Sequence, residues 1–412
     1  MAGSAPAGWR RVHVSELVSI AHGYAFKGEF FSFQGEDALA TPGNFLEQGG
    51  FRHGASKQRY YTADYPASYR LFAGDLIVAM TEQAAGLLGS AAHVPATGSW
   101  LHNQRVGRVN TKSADVSLDY LYFVFNTSEF RRAVFETSAG TKVRHTSPTK
   151  LGAVEILLPE LLEQERIVAV LRDMDAVIET LDRSITKKQS IKQGMMQQLL
   201  TGRTRLPEFN GQWSSHAIGE FARVTAGGTP STQIPRYWGG NIPWMSSGEL
   251  HQKRVHDVRG RIASDGLRES SAQLLPAESV LIGLAGQGKT RGTVAISKLK
   301  LSTNQSIAGI LPSSAHDPRF LYYNLDTRYD ELRGESTGDG GRGGLNLTII
   351  KKLRVYMPDV AEQSAISDVL SHVDDEIDSL ARRLAKADNT KQGMMQELLT
   401  GRTRLPSLET AL

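Results

Sequence analysis

The sequence predicts an α+β chain in which two α/β globular heads are held apart by an antiparallel two-helix coiled coil, with a pseudo-two-fold internal repeat relating the halves. Three observations carry this: a nearly perfect internal repeat, a heptad spacing that occurs twice in one register, and a charge gradient that recurs along both helices. Residues 192–207 read KQGMMQQLLTGRTRLP and residues 391–406 read KQGMMQELLTGRTRLP, fifteen matches in sixteen at an offset of 199. A repeat of this kind sets the architecture before any local reading. At the same offset Pro159 meets Pro358, Glu163-Gln164 meets Glu362-Gln363, Ile167 meets Ile366 and Asp175 meets Asp374. Upstream the likeness thins to Trp9 against Trp213 and Asn103-Gln104 against Asn304-Gln305, with the small drift that loop insertions produce. Four segments are expected: a first head over 1–158, a cassette helix over 159–207, a second head over 208–357 and a second cassette over 358–412.

In the first head, Lys142, Arg144 and His145 follow Gly140 among turn-forming residues. Glycine lets backbone approach a ligand and long basic side chains reach it, the arrangement expected of a nucleic-acid contact. Each of these residues could equally belong to a solvated loop. The recurrent Asn103-Gln104 and Asn304-Gln305 pairs read better as a shared structural hydrogen bond.

The first cassette places Ile167, Leu171, Met174, Ile178, Leu181 and Ile185 at alternating spacings of four and three, a heptad seam. Pro159 marks its start and Gly202 its end. Residues 160–182 are acidic, with Glu163, Asp175 and Glu179 among them, whereas Lys187, Lys188 and Lys192 follow. An acidic start and a basic end complement the helix dipole.

In the second head, Gly283-Leu284-Ala285-Gly286-Gln287-Gly288-Lys289-Thr290 matches the phosphate-loop pattern in full. A working phosphate loop opens a helix. Here Arg291-Gly292-Thr293-Val294-Ala295-Ile296 follows, Gly-interrupted and β-branched, so a hairpin is expected, with Gln287, Lys289 and Arg291 offering donors to phosphates or base edges. A P-loop NTPase stays open as the rival reading. Asn241-Ile242-Pro243-Trp244 is expected to be a turn with a packed tryptophan. Arg342 lies in a glycine run at 338–344 and is a further candidate nucleic-acid contact.

The second cassette repeats the seam at Ile366, Leu370, Val373, Ile377, Leu380 and Leu384, and the charge order with Asp374, Asp375, Glu376 and Asp378 ahead of Arg382, Arg383 and Lys391. Two rods with acidic starts and basic ends place opposite charges side by side when antiparallel.

Composition narrows the chemistry. The 412 residues include 40% hydrophobic and 22% charged types, as in ordinary globular protein. The absence of cysteine excludes disulfides, thiolate zinc sites, iron–sulfur clusters and cysteine nucleophiles. The histidines make no ligand cluster and no catalytic centre emerges. No stretch approaches the eighteen apolar residues of a membrane span, and the N-terminal residues lack an apolar signal core, so neither export nor membrane insertion is expected. Residues 159–206 and 358–405 together carry 14 basic and 16 acidic residues, a net of −2, so the rest of the chain carries +6 of an overall +4. The positive excess lies in the heads, where a polyanion would be met.

Taken with the duplicated cassette and the Pro-to-Glu-Gln helix openings at 159–164 and 358–363, the stretch GGTPSTQIPRYWGGNIPWMSSGEL at 227–250 resembles the specificity subunit of type I DNA restriction-modification systems. The likeness covers nearly the whole chain. It implies that each head is a target recognition domain reading one half of a split site in double-stranded DNA, and that the coiled coil sets the spacing. It also implies a non-catalytic subunit working with two methyltransferase subunits that carry S-adenosylmethionine and with restriction subunits that use ATP and magnesium, in the cytoplasm. In the first head, residues 22–50 keep only a loose echo of the 227–250 motif. A non-catalytic coiled-coil scaffold is the remaining alternative.

Overall fold

The computed structural model describes residues 5–82, 86–140, 143–286, 288–334 and 344–405. The chain divides into two compact units, Met1–Leu181 with Arg383–Leu412, and Asp182–Arg382. Both divisions fall inside a long helix, Leu161–Leu199 or Val360–Leu398, each of 39 residues. Each unit therefore owns one head, the first part of the helix that follows it and the last part of the other long helix.

In the first unit, strand Arg10–His13 pairs with Glu155–Leu158 and brings the start of the head to the base of its helix. A four-stranded antiparallel sheet follows in the order Val18–His22, Val106–Thr111, Leu76–Ala79, Ala91–His93. Its member Leu76–Ala79 is buried at every position, which is why it reads as an unbroken apolar run rather than an alternating one. A five-stranded sheet packs beside it and contains the parallel pair Asp37–Ala40 and Ser99–His102. Helix Leu118–Phe125 is capped by Ser117, whose hydroxyl accepts from Tyr120 N–H.

The second unit repeats the plan. Ser214–Ala217 pairs with Arg354–Met357, and a five-stranded sheet runs Val224–Ala226, Ile307–Ile310, Val280–Gly283, Val294–Ser297, Arg254–Val255. A three-stranded sheet contains Gly260–Ile262, Trp238–Met245 and Ser302–Thr303. Helix Pro318–Asp326 is capped by Asp317 and has Pro318 at its first position. The segment Asn241–Trp244, expected as a turn, lies within the strand Trp238–Met245. Pairing with Gly260–Ile262 outweighs the turn propensity of Asn241 and Pro243, and the irregularity appears as a register shift between Trp238 and Ile242.

Within each unit the long-helix segments pack antiparallel. In the first, Glu163 pairs with Arg404 at 2.5 Å and Asp175 with Lys391 at 2.5 Å, so position rises along one segment as it falls along the other. In the second, Glu362 pairs with Arg205 at 2.6 Å, Asp374 with Lys192 at 2.6 Å and Glu376 with Lys188 at 2.7 Å. The expected seam residues are all buried or half-buried, with Ile167, Leu171, Ile366 and Leu370 at most 1% exposed. The ends of these helices enter the head cores directly. Met395, Leu398 and Leu399 join Trp9, Leu121 and Ile156 in one, and Met196, Leu199 and Leu200 join Trp213, Phe320 and Val355 in the other. Gly202 and Gly401 terminate the paired ends at φ of +70° and +67°, a conformation that favours glycine.

The repeated Glu-Gln dipeptide ties head to helix. Gln164 accepts from Ser117 N–H at 2.9 Å and donates to the Pro159 carbonyl at 2.9 Å; Gln363 accepts from Asp317 N–H at 2.9 Å and donates to the Pro358 carbonyl at 2.8 Å. One amide thus satisfies backbone groups at the entries of two helices. The neighbouring Glu163 accepts from Trp9 Nε1 at 3.1 Å, and Glu362 from Trp213 Nε1 at 3.2 Å.

Candidate nucleic-acid interface

At one end of the second head, four loops meet on a few backbone bonds. Leu284, just past strand Val280–Gly283, donates its N–H to the Ser306 carbonyl at 2.8 Å and accepts from Leu345 N–H at 3.0 Å. The loop after residue 226 joins through Gly227 N–H to Ile307 O (3.1 Å), Gly228 N–H to Thr303 O (2.8 Å) and Thr229 Oγ1 to Gln305 Oε1 (2.5 Å). A Cβ on Gly227 would stand 2.2 Å from the Thr303 carbonyl oxygen, so only glycine allows this approach.

The first head is wired the same way. Met80 donates to the Arg105 carbonyl at 3.0 Å and accepts from Thr146 N–H at 2.9 Å, while Tyr24 donates to the His102 carbonyl at 2.7 Å and accepts from Gln104 N–H at 3.0 Å. Asn103 Oδ1 accepts from Arg105 N–H at 3.1 Å and Asn304 Oδ1 from Ser306 N–H at 3.2 Å. The recurrent asparagine is therefore a turn former that shapes the rim of this end in both heads.

These are the loops that carry the sequence-derived candidates. Arg144 lies on the converging segment, but its guanidinium folds back over the Phe135 ring at 3.9 Å and donates to Ser138 Oγ at 3.0 Å. His145 is pinned by reciprocal backbone bonds with Ala139 and by a 3.1 Å hydrogen bond between its Nδ1 and Thr81 Oγ1. Lys289 is exposed at the tip of the second-head hairpin, where its carbonyl accepts from Thr293 Oγ1 at 2.5 Å and Tyr329 OH at 3.2 Å. Arg291 is half-buried on the same turn. Lys142, Gln287 and Arg342 lie outside the described residues.

Arg105, exposed beside the recurrent Asn-Gln pair, was not among the candidates. Its neighbour Asn103 was the available signal, because a turn former repeated in both halves marks a loop whose next residue faces outward.

The phosphate-loop match does not build a phosphate site. After Val280–Gly283 the chain turns, Gly292 N–H donates to the Gly283 carbonyl at 2.9 Å, and Val294–Ser297 returns antiparallel. Among the described residues, no helix N-terminus stands where the phosphates would need its amides. Among the described residues no group of three or more His, Asp or Glu side chains could hold a metal ion, and no helix is long and apolar enough to cross a membrane.

Beneath the loop end of the first head, His102 is buried and its Nε2 lies 2.8 Å from the Val106 carbonyl. Burial pushes its pKa down to about 4, so it stays neutral and donates that bond.

Each unit also has a cleft between its head and its helix pair. In the first unit it has a volume of about 1300 Å³ and includes Arg132, Asp175, Lys391, Gln392 and Gln396; in the second, about 520 Å³ and Asp326, Lys192, Gln193, Gln197 and Asp374. Lysine, both glutamines and aspartate recur at equivalent cassette positions.

A family model described as "Type I restriction modification DNA specificity domain" matches residues 6–193 and 210–388. The MjaIX type I restriction enzyme specificity subunit of Methanocaldococcus jannaschii is 31% identical over 171 residues, 40% of this chain and 39% of that protein. The EcoR124I/EcoR124II specificity subunit of Escherichia coli is 23% identical over 285 residues, 67% of this chain and 68% of that one. Among solved structures, the S subunit of a type I system from M. genitalium shares the fold at a TM-score of 0.62 and 14% identity, covering 95% of this chain and 96% of the other.

Proposed function

Because the chain belongs to the type I restriction modification DNA specificity family, and is the non-catalytic subunit that recognises the DNA target, we propose that the loop end of each head reads one half of a bipartite site. The observation that carries this is the shared wiring of the two loop ends with different side chains displayed on them. A constant frame holding variable donors is what two unlike half-sites require.

In this reading the segments 1–158 and 208–357 are the target recognition domains, and 159–207 and 358–412 are the spacer that holds them apart. Lys142, Arg144, His145 and Arg105 are the DNA-contact candidates of the first head, with Arg144 having to leave its packing on Phe135 to reach a duplex, and Gln287, Lys289, Arg291 and Arg342 are those of the second. Phosphate contacts position each head, and base-edge contacts specify the sequence. The chemistry belongs to partners: two methyltransferase subunits bearing S-adenosylmethionine, and restriction subunits using ATP and magnesium, in the cytoplasm. The cassette clefts are the surface a methyltransferase grips, since a partner present twice needs the same side chains twice. A phosphate-loop NTPase is not supported, because the matching segment is a hairpin turn.

Co-expression with the methyltransferase followed by methylation mapping tests the reading. One bipartite motif is expected. Methylation without sequence preference would instead favour a scaffold.

A further inference from the structure

The two heads are not fastened to their helices alike. Arg254 sits on the edge strand Arg254–Val255, fixed by parallel pairing to Val294–Ser297 through Ile296 N–H to the Lys253 carbonyl at 2.7 Å and Lys298 N–H to the Val255 carbonyl at 2.8 Å. Val255 points into the core, fully buried, and Arg254 points the other way. Its Nη1 lies 2.7 Å from Asp375 Oδ1 and its Nη2 bonds Asp378, two carboxylates one turn apart on the helix Val360–Leu398.

The preceding backbone is built to aim it. Lys253 adopts φ +61°, a conformation unusual for a residue with a side chain, and its ammonium is anchored to Asp326 at 2.6 Å. The first half is fastened differently, with Arg172 on its helix pairing with Asp119 of the head at 2.6 Å. Its cassette has Ala176 and Glu179 at the positions of Asp375 and Asp378, and its four-stranded sheet ends at Ala91–His93 with no parallel edge strand among the described residues.

We propose that Arg254 is a positioning residue for DNA recognition: it fixes the angle of the second head on its helix and so limits the subunit to one spacer length between half-sites. The shared core and the bonds of Glu362 and Gln363 hold the head at the base of its helix, and Arg254 adds a second hold further along it. A planar guanidinium engaging two carboxylates blocks rotation as well as sliding, which a lysine ammonium cannot do. The proposal rests on the bipartite reading above.

The experiment uses the full chain assembled with its methyltransferase and a DNA library in which the spacer varies by single base pairs. Arg254→Gln, Arg254→Lys and the double change Asp375→Asn/Asp378→Asn are compared with the parent. The parent should return one motif with one spacer; if it returns no bipartite motif, the underlying reading fails rather than this one. Arg254→Gln and the double aspartate variant should keep both half-site sequences while methylation at spacers one base pair longer or shorter rises roughly tenfold, with Arg254→Lys intermediate. The aspartates lie on an exposed helix face, so their variant remains informative even if Arg254→Gln folds poorly. Spacer selectivity identical to the parent in the aspartate variant overturns the proposal.

Discussion

Lys391 Nζ lies 2.5 Å from Asp175 Oδ1 and 5.7 Å from the centre of the Phe123 ring, so one ammonium joins both long-helix segments and the head of its unit. Lys192 does the same in the other unit, 2.6 Å from Asp374 and 5.2 Å from the Tyr323 ring. Both lysine side chains are less than one-fifth exposed, which keeps these pairs from being fully screened. Lys391→Met is expected to destabilise the protein by about 1–2 kcal/mol, with a coupling of about 1 kcal/mol to Asp175 in a double-mutant cycle read by urea unfolding.

Glu362 accepts from Arg205 Nε at 2.6 Å, Arg205 Nη2 at 2.7 Å and Trp213 Nε1 at 3.2 Å while fully buried. Glu362→Gln leaves an arginine facing an amide that still accepts, and its expected effect is a lower melting temperature. Glu163→Gln, at the more exposed equivalent pair, should lose less.

Residues 1–206 contain both partners of the two cross-helix pairs that recur in both units, Glu163 and Arg205, Asp175 and Lys192, while Val177 stands at the position of Glu376, the partner of Lys188. A fragment of this length is therefore self-complementary. It is expected to dimerise through its cassette, with Met196, Leu199 and Leu200 of each copy filling the place of Met395, Leu398 and Leu399. Sedimentation should give a dimer, and Asp175→Lys should give a monomer.

Lys289 stands exposed at the hairpin tip. Lys289→Ala should weaken binding to every DNA sequence alike and lower the slope of log affinity against log salt by about one, measured by fluorescence anisotropy. A change confined to one base position would make it a base reader instead.

His102 has a folded pKa of about 4 against an ordinary 6.5, so the unfolded chain binds the extra proton first. Its contribution is complete above about pH 6.5 and is lost as pH falls towards 4, up to about 3 kcal/mol. His102→Gln should flatten that part of the stability profile between pH 4 and 6.5.

The repeat, the seam and the antiparallel order were legible in the sequence because they depend on spacing and charge along one helix. That the Leu398 end of one helix completes the core around Trp9 was not, since core membership depends on which segment antiparallel packing delivers. The partners of Glu163 and Gln164 were hidden for the same reason: Arg404 and Ser117 are remote along the chain. At the interface, the convergence of the loops was invisible, although each loop's basic residues were not. The segment Asn241–Trp244 read as a turn because Asn and Pro signal one locally; the packed tryptophan held, against Trp238 at 5.0 Å, but its strand partners and the bond from its Nε1 to Gly228 O are tertiary.

The borrowing of Met395, Leu398 and Leu399 by the first head sets an order on synthesis. A ribosome adding roughly 5–20 residues per second needs on the order of 10–40 s to travel from the end of the first cassette to these residues. Throughout that interval the first head presents an open apolar seam to chaperones. A premature stop shortly before residue 395 would thus leave the second head's own core residues in place and undo recognition at the first.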